Sequence, residues 1–179
     1  MPRRLNRMPD TTLDISIRPV SAEADSAAIT EIYNHYIRNA VVTFEELEVT
    51  SEQIRERINT VLSASLPWLV AESSDRVVGY AYAGLFHSRS AYRFTVEATV
   101  YVAKNSSGRG SGSKLYQALL RQLKEQNCHS VIAIIALPNE ASVRLHEKFH
   151  FRKRGQLAEV GYKFDRWHDV GYWQLILHS

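Results

Sequence analysis

The segment Gly108-Arg109-Gly110-Ser111-Gly112-Ser113 carries the most restrictive chemistry in this sequence. It follows the β-type run RFTVEATVYVA and leads into a helix whose Leu115, Leu119 and Leu123 recur at i, i+4 and i+8. Backbone N–H groups at such a junction point outward at the positive end of a helix dipole, which makes an anion site. Glycine suits it because a side chain would block the approach of a phosphate, and because some positions there require φ > 0. A nucleoside-triphosphate loop would end in Gly-Lys-Ser/Thr, whereas Gly112 is followed by Ser113 and Lys114. A dinucleotide fingerprint needs a long parallel βαβ series and an acidic residue after the next strand. The plain alternative is a flexible connector.

Glu97 stands in mid-strand with apolar neighbours on both sides in sequence, where an unpaired carboxylate is unfavourable and its pKa tends to rise. It is either an acid–base group or a carboxylate on a solvated or ion-paired sheet face. His146 lies one turn after Ser142, on a helix face shared with Leu145 and Phe149. A lone helical histidine there is a proton-transfer group or a packed side chain, and Tyr101 and Tyr116 are alternatives to it. The linker HSRSAY brings Arg89 and Tyr92 near Glu97 in sequence. A guanidinium fork matches a carboxylate and a tyrosine can add a hydrogen bond, unless both are merely exposed. Phe44, Tyr82 and Trp167 line a pocket or simply pack.

The elements that must position these residues follow from periodicity. LDISIRPV alternates as a half-buried strand, and SAEADSAAITEIYNHYIRN is an amphipathic helix behind Ser21 as cap. Thr50 and Gln53 form a capping box for a second helix that ends before Pro67. WLVAES and RVVGYAYAGLF make a hairpin, and residues 93–103 a further strand with Glu97, Thr99 and Tyr101 on one face. SVIAIIAL is expected as a strand covered on both sides, NEASVRLHEKF as a helix, and the last two apolar runs as closing strands. The predicted order is β-α-α-β-β-β-α-β-α-β-β.

A chain of 179 residues with 45% apolar content is one domain, with residues 1–11 expected as a disordered tail and 12–179 as the folded unit. Arg3, Arg4 and Arg7 less Asp10 place +2 of the net charge of +3 in the first ten residues, so the body is near neutral and nucleic acid is not an expected partner. No apolar run approaches the roughly 18 residues of a membrane span, no secretory leader is visible, and the single Cys128 has no metal-ligand spacing. These features predict a soluble, cytoplasmic protein without a metal.

VYVAKNSSGRGSGSKLY followed by SVIAIIALPNEASVRLHEKFHF resembles the acetyl-CoA-binding core of the GNAT superfamily, and its phosphinothricin acetyltransferase branch in particular. The likeness extends to IYNHYI, VTFEE, PWLVAE, GYAYAG and WHDVGYWQL, and so over nearly the whole chain. It implies a single-domain α/β (α+β) fold with a mixed, mostly antiparallel sheet flanked by helices, and acetyl-CoA as co-substrate. By position, the CoA set is Arg109, Gly110, Ser111, Gly112 and Ser113 at the pyrophosphate, Val100, Tyr101 and Val102 along the pantetheine arm, and Asn139 and Ser142 nearby. Glu97 becomes the base that deprotonates an amine, His146 a proton-transfer residue, and Phe44, Tyr82, Arg89, Tyr92 and Trp167 the acceptor site.

Four positions depart from the pattern of the family or its branch. Ser107 stands where the loop usually opens with Gln or Arg, and Gly108 where it is often basic, which shifts the expected phosphate contacts to Arg109 and Lys114. His150 replaces a helix-ending glycine, and His87 a lysine. The resemblance further implies a homodimer, to which the GYWQLIL segment would lend apolar surface, and a small amino-acid-like acceptor such as phosphinothricin, methionine sulfoximine or methionine sulfone. The alternatives are a protein amine, an aminoglycoside, or an inactive CoA-binding module.

Overall fold

A computed structural model describes residues 14–178, so the tail and the start of the expected first strand lie outside the described residues. The strands are β1 (Ser16–Pro19), β2 (Trp68–Ser73), β3 (Arg76–Leu85), β4 (Thr95–Val102), β5 (Ser130–Leu137), β6 (Arg152–Lys163) and β7 (Arg166–Ile176). The helices are α1 (Ala22–Asn39), α2 (Ser51–Ser63), α3 (Ser111–Glu125) and α4 (Glu140–Lys148). The element order is the one expected. Ser21 caps α1 by accepting from the Ala24 amide, and Thr50 and Gln53 form both halves of the capping box of α2. Between β2 and β3, Ser74 and Asp75 both take positive φ, the turn that keeps two twisting strands together.

All strands share one sheet, in the order β1-β2-β3-β4-β5-β7-β6. Every neighbouring pair is antiparallel except β4 and β5. Strand alternation divides the sheet into two faces. Val96, Ala98 and Val131 pack with Leu115, Leu119 and Leu123 of α3, all three leucines fully buried. Tyr80, Tyr82 and Tyr101 turn the other way, toward Ile29, Tyr33, Ile54 and Ile58 of α1 and α2. His150 ends α4 with φ of 67°, the left-handed conformation that histidine takes here in place of glycine.

Two expectations are corrected. Ile134 in the middle of β5 is 39% exposed, because β5 has no partner on its β4 side at that level. The strand is therefore not covered on both sides. GYWQLIL, in turn, does not offer its tryptophan to the surface: β7 runs between β5 and β6, and Trp173 is buried in the α3-side core, with Ile176 exposed at the strand's end. A group of exposed apolar side chains lies on edge strand β6 and the β6–β7 turn, at Leu157, Val160, Tyr162 and Phe164, with Trp167 at the start of β7 beside them. None of the described helices is long and apolar enough to cross a membrane.

The loop between α1 and α2 is fastened from below. Buried Asn34 donates to the Val49 carbonyl and accepts from the Val49 amide, both at 2.9 Å. Asn34→Ala would strand both backbone groups, at about 1–3 kcal/mol for each buried orphan. We expect a fall in melting temperature of several degrees by calorimetry; an unchanged value would mean that the loop is held without this clamp.

Candidate active site

The ladder between β4 and β5 contains three residue pairs, Thr95–Ser130, Val96–Val131 and Glu97–Ile132. Beyond Glu97 the strands part. From Ala98 to Val102, β4 keeps its bonds to β3 but has no strand partner on the other side, and a cavity of about 850 Å³ opens there. Its walls run from Phe44, Tyr82 and Glu97 through Thr99, Val100, Tyr101 and Val102 to the glycine loop and α4.

At the loop end, Gly108 and Gly110 take φ of 77° and 87°, and Gly110 is the N-cap of α3. No side chain caps this helix. Among the described residues, the amides of Ser111, Gly112 and Ser113 meet no protein acceptor, and the first helical bond is from the Lys114 amide to the Gly110 carbonyl. Three free amides at a dipole end are an anion cradle. A Cβ on Gly112 would touch Val102 and Leu145, so that a larger side chain would fill the groove.

The cations differ from expectation. Arg109 is exposed and is not among the cavity residues, and Lys114 turns away to donate to the Ile15 carbonyl at 3.2 Å. Lys148 and Arg144, one turn apart on α4, line the cavity instead, with Lys148 Nζ 3.0 Å from Ser113 Oγ across the groove. Their i, i+4 spacing was readable in the sequence, but the approach of α4 to the loop was not. Asn139 and Ser142 also line the cavity, where Asn139 Oδ1 caps α4 by accepting from the Ser142 amide.

Glu97 is half-buried and has no hydrogen bond or ion pair with another described residue. Its cross-strand partner on β3 is Gly84, where a side chain would meet nothing, so the space beside the carboxylate is open. Burial pushes the Glu97 carboxyl above its ordinary range, with His87 pulling weakly the other way. The salt-bridge alternative drops out.

His146 is 3% exposed and packs edge-on against Tyr116 and Phe151. Its Nδ1 donates to the Ser142 carbonyl at 2.7 Å, which leaves Nε2 as the bare nitrogen, buried and without a partner. Burial also lowers its pKa. A neutral ring with this tautomer offers a lone pair rather than a proton, so the geometry does not supply a ready acid at His146. Tyr116 Oη is likewise buried and unpartnered, with its pKa driven far up by burial, and it stays protonated.

Of the expected acceptor residues, Phe44 and Tyr82 line the cavity, Tyr82 stacking on Trp68 with centroids 4.1 Å apart. Arg89 and Tyr92 do not; they lie exposed on the 86–94 loop, where Tyr92 packs on Phe86 and His87. Trp167 is 58% exposed and packs on Tyr162. Tyr36, Val42, Thr43 and Thr99 join the walls without having been anticipated. Thr43 stood in the same VTFEE run as Phe44, but nothing in the sequence showed that run reaching β4.

A cleft with free amides at one end and a lone, destabilised carboxylate at the other suits a phosphate-tailed acyl carrier and a nucleophile that must lose a proton. In class, it belongs to an acyl-carrier-dependent transferase. Residues 18–171 match the acetyltransferase (GNAT) domain, and the chain belongs to that family. It is an N-acetyltransferase that uses acetyl-CoA. The chain is 46% identical over 160 residues to a phosphinothricin N-acetyltransferase of Streptomyces viridochromogenes, covering 89% of this chain and 86% of that one. It is 36% identical over 155 residues to an L-methionine sulfoximine/L-methionine sulfone acetyltransferase of Salmonella typhimurium, covering 87% and 91% of the two chains. A putative acetyltransferase of Salmonella typhimurium, solved with its cofactor acetyl-CoA, superposes with a TM-score of 0.89 at 35% identity, over 92% and 95% of the chains.

The state of Glu97 has a consequence for stability. A carboxyl whose folded pKa is raised stabilises the fold below its unfolded pKa, and that contribution is lost as pH rises through the folded value. Glu97→Gln should therefore melt higher than the wild type at about pH 8, with the gap closing toward about pH 4. Equal melting temperatures at the higher pH would mean that the carboxylate is compensated.

Proposed function

We propose that this enzyme acetylates the α-amino group of a free amino acid or close analogue, of the phosphinothricin, methionine sulfoximine or methionine sulfone type, by direct attack on the acetyl-CoA thioester. The observation that carries this reading is Glu97: an unpartnered, half-buried carboxylate on the cavity wall, at the last residue pair before the strands part. The names of the relatives supply the acceptor class.

In this reading the amides of Ser111 to Ser113 hold the pyrophosphate, with Gly110 setting their direction and Lys148 adjoining. The free edge of Val100, Tyr101 and Val102 pairs with the pantetheine amides, and Asn139 and Ser142 flank the arm. An ammonium in the cleft loses a proton to Glu97, directly or through water. The free amine attacks the thioester carbon, the C–S bond breaks with CoA leaving as the thiolate, and the proton left on the new amide nitrogen passes to that thiolate or to water. An ordinary thiol has a pKa of about 8.5, so this leaving group departs without a strong acid. His146 then acts as a neutral acceptor at the cleft wall. Arg89, exposed on the loop that feeds into β4, is the guanidinium offered to the acceptor carboxylate, and Tyr92 stands on the same loop.

Glu97→Gln keeps shape but not basicity. Its kcat should fall by roughly 100-fold or more, the scale of a general base, with the acetyl-CoA KM little changed. Wild-type kcat/KM should decline with falling pH at a pKa above the ~4.3 of a free glutamate. Full activity in the variant would move the base elsewhere. The acceptor class is tested by comparing methionine sulfone, its methyl ester and a peptide lysine: the free acid should be the better substrate. Equal use of the ester or the peptide would favour a protein amine or an aminoglycoside, and no turnover of any amine would leave a CoA-binding module.

The same reading takes the enzyme as a cytoplasmic homodimer. Edge strand β6 and its turn expose Leu157, Val160, Tyr162 and Phe164, next to Trp167, and a second copy would cover them. Light scattering at tens of micromolar, a concentration of about the usual assay scale, should return twice the chain mass of 20.4 kDa. A monomer mass would overturn this.

A further inference from the structure

Lys163, at the end of β6, is 2% exposed although it carries an ammonium. Its Nζ donates to the carbonyls of Ala40 at 3.0 Å and Thr43 at 2.8 Å. Ala40 is the C-cap of α1, where a cation is favoured, and Thr43 immediately precedes Phe44. The β6–β7 hairpin thus grips the stretch of chain that supplies Val42, Thr43 and Phe44 to the cavity wall. Two residues earlier on the same face is Gly161. Its φ is not in the left-handed region, so the backbone does not require glycine there. The Phe44 ring does: a Cβ on Gly161 would overlap three of its ring carbons. His168, paired with Gly161 across the hairpin, completes the seat. Its ring centroid is 6.2 Å from that of Phe44, and its Nε2 donates to the Lys163 carbonyl at 3.0 Å.

We propose that Gly161 and Lys163 are positioning residues that set where Phe44 stands in the acceptor pocket, and through it which amino-acid side chains the enzyme accepts. The proposal rests on the acceptor reading above. Neither residue lines the cavity, so each acts only through the loop it holds. Gly161 gives the ring room to lie back against the sheet, and Lys163 keeps the ring's own backbone from sliding toward Glu97 and Tyr82.

The test is a set of steady-state comparisons with methionine sulfone and phosphinothricin as acceptors. Gly161→Ala should push the ring into the pocket and raise the acceptor KM roughly 10- to 100-fold, the scale of a displacement near one ångström, with the acetyl-CoA KM almost unmoved. Phe44→Leu in the Gly161→Ala background should recover much of that loss, so that the two changes are strongly non-additive. Lys163→Met should raise the acceptor KM in the same direction while acetyl-CoA still stabilises the variant against heat. Should Lys163→Met fail to fold, the Gly161→Ala series decides alone. Additive effects, or equal changes in the KM of both substrates, would overturn the proposal. A wild type that acetylates neither acid overturns the acceptor reading, and the proposal with it; a wild type that acetylates both, with the Gly161→Ala acceptor KM unmoved, overturns the proposal alone.

Discussion

The parting of two parallel strands after one short ladder is the constraint on which the rest of this molecule depends. A sheet interior ordinarily pairs every backbone group, because an unpaired one away from water costs as much as a lost hydrogen bond. Here β4 and β5 stop pairing after Glu97 and Ile132, deep in the sheet, and their facing edges are left to line a cavity. The antiparallel ladders on the outer sides, β3 with β4 and β5 with β7, continue past that point and hold the two halves in register. The cleft can therefore stay open without either half fraying. The glycine loop then falls at the end of the free edge of β4, and the start of α4 at the end of β5, because each simply follows its strand.

The same geometry explains why the carboxylate belongs at position 97. One residue earlier, the side chain of Val96 points into the α3-side core, where a charge would have no water at all. Two residues later, Thr99 lies beyond the junction, along the open edge. Glu97 alone has both a closed sheet on one side, which raises its pKa, and an open cavity on the other, which lets a proton leave. Gly84 across from it removes the one neighbouring side chain that could have covered the carboxylate. An unpaired, half-buried carboxylate is a stability cost that packing does not explain and the proposed role as base would.

What could be read from the sequence was what depends on local repetition. The alternation through 93–103 assigned the faces of β4 correctly, the capping box at Thr50 and Gln53 is present as written, and the left-handed helix end fell on His150. What could not be read depends on where distant segments meet. SVIAIIAL has the composition of a doubly covered strand, and only the end of its ladder with β4 leaves Ile134 exposed. Lys114 sits beside the loop in sequence yet reaches Ile15, just ahead of β1, while Lys148 sits far away in sequence and reaches Ser113. GYWQLIL looked like a surface for association because it is rich in aromatic and apolar residues; that β7 would lie between β5 and β6 and bury Trp173 depends on the pairing of β7 with the distant β5.

In the proposed reading, the donor and acceptor sides are built from different materials. The donor side is mostly backbone: three helix-start amides and a strand edge, whose positions follow from the sheet itself and change little when side chains change. The acceptor side is made of side chains and a loop. Phe44 and Thr43 come from the α1–α2 connection, Tyr82 from β3, and the loop is fixed by Asn34 beneath it, by Tyr33 bonded to Thr43, and by Lys163 from the far hairpin. Each of these ties is made by a side chain, and that of Lys163 spans 120 residues of sequence. Under the proposed assignment, a substitution at any of them can reshape the pocket without disturbing the glycine-loop cradle, so that acceptor choice can drift while the chemistry stays where the strands divide.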